Sequence, residues 1–146
     1  MIAKTIEYYN YKGEKKTGTY YFHLKPGQLM RVQADTLSSG YEDFATMMRD
    51  LVKTNEYKKA YEIVEKLLIM SYGEMTEDGE HFRQTAEITD QFASSAVLDG
   101  LVIDILTNVD KTTEFFEGLI PKELMQKVVA QTEAGAKEPS AISVVK

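Results

Sequence analysis

The chain has no cysteine among its 146 residues. That absence excludes disulfides, thiolate metal sites and cysteine nucleophiles together, and it is compatible with a reducing cytosol. A single domain of this length buries about 70% of the surface its unfolded chain exposes, so no covalent staple is needed. Nor does any apolar run approach the 18 residues or more of a membrane helix. The N-terminus alternates polar and apolar residues where a secretory signal would show a charged start and a long apolar segment. Basic charge is also short. With 17 Lys and Arg against 23 Asp and Glu, the formal net charge is -6 and the pI is near 5.0. Proteins that hold nucleic acid mainly by neutralising its backbone show the opposite balance, or a long basic stripe. The expectation is a soluble, cytoplasmic protein that binds neither nucleic acid nor membrane.

One stretch cuts across that expectation. "YYNYKGEKKTGTYYFHL", residues 8–24, packs aromatic and basic residues around two glycines. Gly13 and Gly18 have the G-x-x-x-x-G spacing of a phosphate loop, but Thr19-Tyr20 follows where such a loop needs Lys and then Ser or Thr. The residues after it are β-formers, whereas a phosphate loop leads into a helix. A β-hairpin accounts for more of the residues. Ile2, Ile6 and Tyr8 fall on one face of a period-2 strand, with Lys4 and Glu7 as polar alternates. Tyr20, Phe22 and Leu24 share a face of the second strand, and Asn10 to Lys16 supply a polar, glycine-bearing turn.

After Lys25-Pro26-Gly27 the period changes. Residues 28–34 read as a short helix with Leu29 and Val32 inward. Residues 41–53 carry Phe44, Met47, Met48, Leu51 and Val52 at helical spacing. Residues 56–72 give the clearest stripe, through Tyr57, Ala60, Tyr61, Val64, Leu67, Leu68 and Ser71, with Gly73 placed as a C-terminal cap. Residues 75–83 read as an acidic connector turning at Asp78-Gly79. Helical signal resumes over 86–92 and 95–108, the latter apolar apart from Asp99 and Asp104 and interrupted by Gly100. Two further helices are expected, one carrying Phe115, Phe116 and Leu119, the other running from Pro121 to Thr132 with proline in its first position.

Residues 133–146, "EAGAKEPSAISVVK", are expected to form a flexible tail. Its last apolar residues, Ile142, Val144 and Val145, are otherwise available as an added strand or a short partner-binding peptide. The fold class is therefore α+β: a single domain over 1–132, with an N-terminal β-hairpin over 1–25, a mainly α-helical body over 26–132, and the tail.

Signs of enzymatic chemistry are sparse. His23 and His81 lack the i, i+4 spacing of a helical metal site. Glu74, Glu77, Asp78 and Glu80 lack the alternating ligands and the distal glutamate of a calcium loop. Asp99 and Asp104 stand out only for lying in the most apolar helix, where a solvent face accounts for them. No catalytic residue, cofactor site or metal site is expected, and the chain does not read as an enzyme.

The order of the pieces carries more information than any one of them. The opening "AKTIEYYNYKGEKKTGTYYFHLKPGQLMRVQ" resembles that of small tail assembly chaperones from siphophages of Gram-positive hosts: a strand, a short polar turn, a "YFxL" strand and a helix entry containing a Leu. The segment "YGEMTEDGEHFRQTAEITDQFASSAVLDGLVIDILTNVDKTTEFFEGLIPKEL" is similar to the rest of that family's pattern. There "YGE", a D-G turn, a lone Phe, a helix ending in Phe, a long apolar helix and "FxxGLIPxxL" follow in order. The resemblance spans most of residues 3–124. Lys25-Pro26-Gly27 departs from it, standing where a polar cap and a Glu-containing first turn are expected.

The resemblance implies a non-enzymatic role in the assembly of a long non-contractile tail. Such proteins coat the tape measure protein, keep it soluble, and give way as tail tube protein polymerises around it. They are absent from the finished virion. The resemblance further implies self-association, action in the host cytoplasm, and a longer frameshifted form of which this chain is the short version. Binding many similar helical segments calls for exposed apolar surface and helix-in-groove contacts. The candidate partner-binding residues are Met47, Met48 and Leu51 on one helix, and Phe115, Phe116 and Leu119 near the other end, the alternative being that all six are core. Two other classes stay open: a structural tail or head-tail connector protein of the virion, and a small nucleic-acid-binding module using Lys12, Lys15 and Lys16.

Overall fold

The computed structural model describes residues 1–108 and 113–120. The alternating N-terminal segment forms the expected hairpin, β1 (Ile2–Tyr9) pairing antiparallel with β2 (Lys15–Phe22) in the register Ile2 to Phe22 and Tyr9 to Lys15. Asn10 organises the turn. Its side-chain oxygen accepts the backbone N–H of Lys12 at 3.0 Å and of Glu14 at 2.9 Å, and its amide donates to the Glu14 carboxylate at 3.0 Å. Gly13 closes the turn at φ 80°, a conformation that costs most other residues strain. Gly18 lies inside β2 opposite Ile6, so the two glycines cradle nothing between them.

Lys4 departs from the expected pattern. It shares the inward face with Ile2, Ile6 and Tyr8, because strand period 2 puts even-numbered residues together. Its charge is met there by Asp104, 3.0 Å away, with the Phe115 ring centroid 5.8 Å from the ammonium.

Among the described residues six helices follow the hairpin, three before and three after the later strands. They are α1 (Pro26–Ser38), α2 (Phe44–Lys53), α3 (Tyr57–Ser71), α4 (Ala86–Ala93), α5 (Ala96–Thr107) and α6 (Thr113–Leu119). The first is longer at both ends than the expected 28–34. Pro26 at its first position is pre-set for helix, and Gln28 at the third accepts the Lys25 N–H at 2.8 Å, doing from N3 what an acidic residue would do. Asp43 caps α2 by accepting the Ala45 N–H at 2.9 Å. Gly100 leaves α5 unbroken and lies against Ile6 and Tyr8 of β1. The helix expected over 121–132 and the tail over 133–146 lie outside the described residues.

The main addition to the sequence reading is a second hairpin. Residues after α3 form β3 (Tyr72–Met75) and β4 (Phe82–Arg83), and the sheet runs β1-β2-β3-β4, antiparallel throughout. Gly73 is therefore no helix cap. It pairs with Tyr21 across the sheet, and a Cβ there would stand 2.6 Å from the Phe82 ring and 2.8 Å from the Arg83 carbonyl. Gly73→Ala is expected to destabilise the fold by about 1–3 kcal/mol through overpacking, read as a lowered urea midpoint at unchanged slope.

The acidic connector is the β3–β4 turn. Asp78 accepts the Thr76 hydroxyl at 2.5 Å and the Glu80 N–H at 3.0 Å, and these bonds hold its carboxyl below the usual range. Its oxygens serve the turn, and among the described residues no His, Cys, Asp or Glu cluster is arranged to hold a metal ion.

Helices α5 and α6 cover the inward face of β1, and the core lies between sheet and helices. Asp99 is exposed and the Asp104 side chain 41% exposed, as the solvent-face reading expects, and both also tie α5 to its neighbours. Asp104 holds Lys4 on β1, and Asp99 accepts the Tyr61 hydroxyl of α3 at 2.7 Å. No described helix is long and apolar enough to cross a membrane.

Candidate functional site: a tyrosine-walled groove

Rings run through this fold in a connected series. Phe44 meets Phe116 at 5.2 Å, Phe116 meets Phe115 at 6.0 Å, and Phe115 meets Phe22 at 5.7 Å. Phe22 meets Phe92 at 6.0 Å, and Phe92 stacks on Tyr72 at 4.0 Å with the planes 11° apart. From Tyr72 the series reaches Tyr20 at 6.3 Å and Tyr8 at 6.4 Å beyond it. Edge-to-face and offset ring pairs of this kind add about 0.5–1.5 kcal/mol each beyond the area they bury. The series changes character along its length, from phenylalanines in the core to tyrosines at the surface.

The partner-binding candidates from the sequence fall at the core end. Met47, Met48 and Leu51 are buried on α2, and Phe115, Phe116 and Leu119 are buried on α6, the most exposed being Phe115 at 6%. The two triplets come together, since Phe44 of α2 contacts Phe116 of α6, but they meet inside the protein. In this conformation none of the six offers open surface.

The tyrosine end opens into a groove of about 310 Å³ between the β1–β2 hairpin, β3 and the α4–α5 junction. Tyr8, Tyr20 and Tyr72 line its sheet side, and Ile88, Phe92 and Val97 line its helix side. The hairpin tip helps close it, as Tyr11 donates to the Ser94 carbonyl at the end of α4 at 3.0 Å. Thr85 caps α4 by accepting the Ile88 N–H at 3.2 Å, which fixes the wall on that side.

Polar atoms in the groove are few and placed. The Tyr20 hydroxyl donates to that of Tyr8 at 3.3 Å, and the Tyr72 hydroxyl donates to the Glu74 carboxylate at 3.4 Å. Burial, then the Tyr8 hydroxyl, pushes the Tyr20 phenol up. Burial and the neighbouring Glu74 charge push Tyr72 up to about 12. The site is thus a set of three phenol rings with one carboxylate, an aromatic concavity of a size to hold a side chain.

Alkaline stability tests this description. Tyr61, bonded to Asp99, is also pushed up to about 12. A phenol whose folded pKa exceeds the unfolded value of about 10 stabilises the fold fully below pH 10. That contribution disappears as pH rises from there through the folded value. Absorbance at 295 nm should show a late-titrating class of phenols, and the urea midpoint should fall between about pH 10 and 12, with Tyr61→Phe and Tyr72→Phe each flattening that fall.

Sequence reasoning placed Tyr8 and Tyr20 on strand faces and put Tyr72 at a helix end, so it did not assemble the groove. With Tyr72 and Glu74 placed on β3, strand period 2 puts both side chains on one face. His23 is part-buried with its ring 6.1 Å from Phe82, and burial lowers its pKa. Lys15 of the basic turn pairs with Glu7 at 3.2 Å, both side chains more than half exposed, which reduces the turn's net positive charge.

A family model described as phage tail assembly chaperone matches residues 1–144. No curated protein and no solved structure matches the chain.

Proposed function

The chain belongs to the phage tail assembly chaperone family, and from that premise we propose that it binds and solubilises the tape measure protein and assists polymerisation of tail tube protein around it. The role is non-enzymatic, takes place in the host cytoplasm, and leaves the chaperone outside the mature virion. Copies associate with one another along the partner, together with a longer frameshifted form. The observation that carries this reading is the family match over residues 1–144, and the groove supports it physically. A concave, aromatic surface with few fixed polar groups accepts side chains from many similar helices, as a long partner requires. Repeated weak contacts along one partner then add as avidity.

Co-expression with the tape measure protein of the same genome tests the proposal. Soluble co-purification is expected, with this chain missing from purified particles. A partner that stays insoluble beside a well-folded chaperone would overturn the holdase role, and presence in the particles would make the chain a structural tail component.

A further inference from the structure

The groove holds aromatic rings and a negative charge in one place, and among the described residues that charge is met by the Tyr72 hydroxyl but by no ion-pair partner. Of the side chains lining it, Glu74 is the one that carries a charge. Lys4 pairs with Asp104 and Lys15 with Glu7, and neither pair involves Glu74. Arg83 sits directly opposite Glu74 on the same face of the sheet and Lys16 opposite Tyr8, but neither side chain lines the groove and neither forms an ion pair with Glu74. Phe92 covers one face of Tyr72, and a tyrosine face left open is the negative pole of its ring quadrupole, which favours a cation within about 6 Å.

From this juxtaposition we infer that the groove is an anchor site for a lysine or arginine side chain, presented from the apolar face of a helix on the partner. The inference rests on the proposed chaperone role and specifies which partner segments are held. The apolar stem of the side chain lies along Ile88, Phe92 and Val97, and its charged head meets the tyrosine rings and Glu74. Gln91, which also lines the groove, supplies an amide oxygen for a remaining donor. A volume of about 310 Å³ suits one or two side chains rather than a whole helix, so the helix rides above and inserts a single anchor. Burial holds the Tyr20 and Tyr72 phenols in their protonated form, as uncharged hydrogen-bonding groups beside the cation. The excess of acidic over basic residues in the whole chain, a net charge of -6, favours approach of basic segments as well.

Two synthetic amphipathic helices of about 18 residues, identical except for lysine or norleucine at the centre of the apolar face, provide the test. Fluorescence anisotropy with the full chain is expected to show the lysine peptide binding about tenfold more tightly, a preference that shrinks in high salt. Glu74 is exposed, so Glu74→Gln keeps the fold, and it should remove most of that preference while leaving norleucine binding in place. Equal or tighter binding of the norleucine peptide overturns the inference, and so does a lysine preference that survives Glu74→Gln. If Glu74→Gln instead abolishes a concentration-dependent self-association of the chaperone, the occupant is a second copy and the inference is again overturned. Retained solubilisation of the tape measure protein without lysine preference would remove this inference and leave the chaperone role standing. Failure of solubilisation would remove the role itself.

Discussion

Met48→Asp is expected to unfold the protein. The side chain has 0% exposure on the inner face of α2, in the same core as Met47, Leu51 and Phe116. An aspartate there has no cation to meet, so it either stays ionised in an apolar site or binds a proton from solvent. Either route costs several kcal/mol, against a total stability of about 5–15 kcal/mol for a typical domain. Far-UV circular dichroism at pH 7 should show no cooperative melt. Partial recovery of the melt toward pH 5 should follow, because the buried carboxyl has a raised pKa and its neutral form is the tolerated one. Met48→Leu, which conserves volume, should cost less than about 1.5 kcal/mol. If α2 were instead an open docking face, Met48→Asp would retain the wild-type melt and lose only partner binding. That pairing of results would contradict the burial seen here.

The difference between those two readings of Met48 explains where sequence reasoning succeeds and stops. Spacing of 3.6 residues picked out α2, α3 and α5 because each must bury one stripe, and alternation picked out the first hairpin. The same stripe looks alike whether it is buried by its own chain or by a partner, so Met47, Met48, Leu51, Phe115, Phe116 and Leu119 carried no mark of which. The second hairpin was illegible for another reason. A four-residue strand and a two-residue strand are too short to show a period, and Gly73 has the same letter in a cap and in a crowded strand. Lys4 faces inward because Asp104, a hundred positions along the chain, is there to receive it. The groove likewise joins residues 8, 20, 72, 88 and 92, which only the tertiary fold brings together.

Ile88→Lys is expected to separate folding from function most sharply. Ile88 is half-buried in the groove wall, at the third position of α4. A lysine in the first turn of a helix is disfavoured by the helix dipole, but by about 0.3–1 kcal/mol at an exposed end. Loss of part of an isoleucine's burial adds about 1 kcal/mol more, so the thermal melt should fall by several degrees and remain cooperative. In the groove the consequence is larger. The new ammonium lies across from Glu74, fills space an incoming side chain needs, and repels any cation the partner offers. Co-expressed tape measure protein should move from the soluble to the insoluble fraction. Ile103→Lys, on α5 at a residue 50% exposed and outside the groove, should leave both the melt and the solubility unchanged. Wild-type solubilisation by Ile88→Lys would place the binding surface elsewhere. The loss is expected to be near-complete because many copies act along one partner: a modest reduction at each site multiplies along the chain when binding depends on avidity.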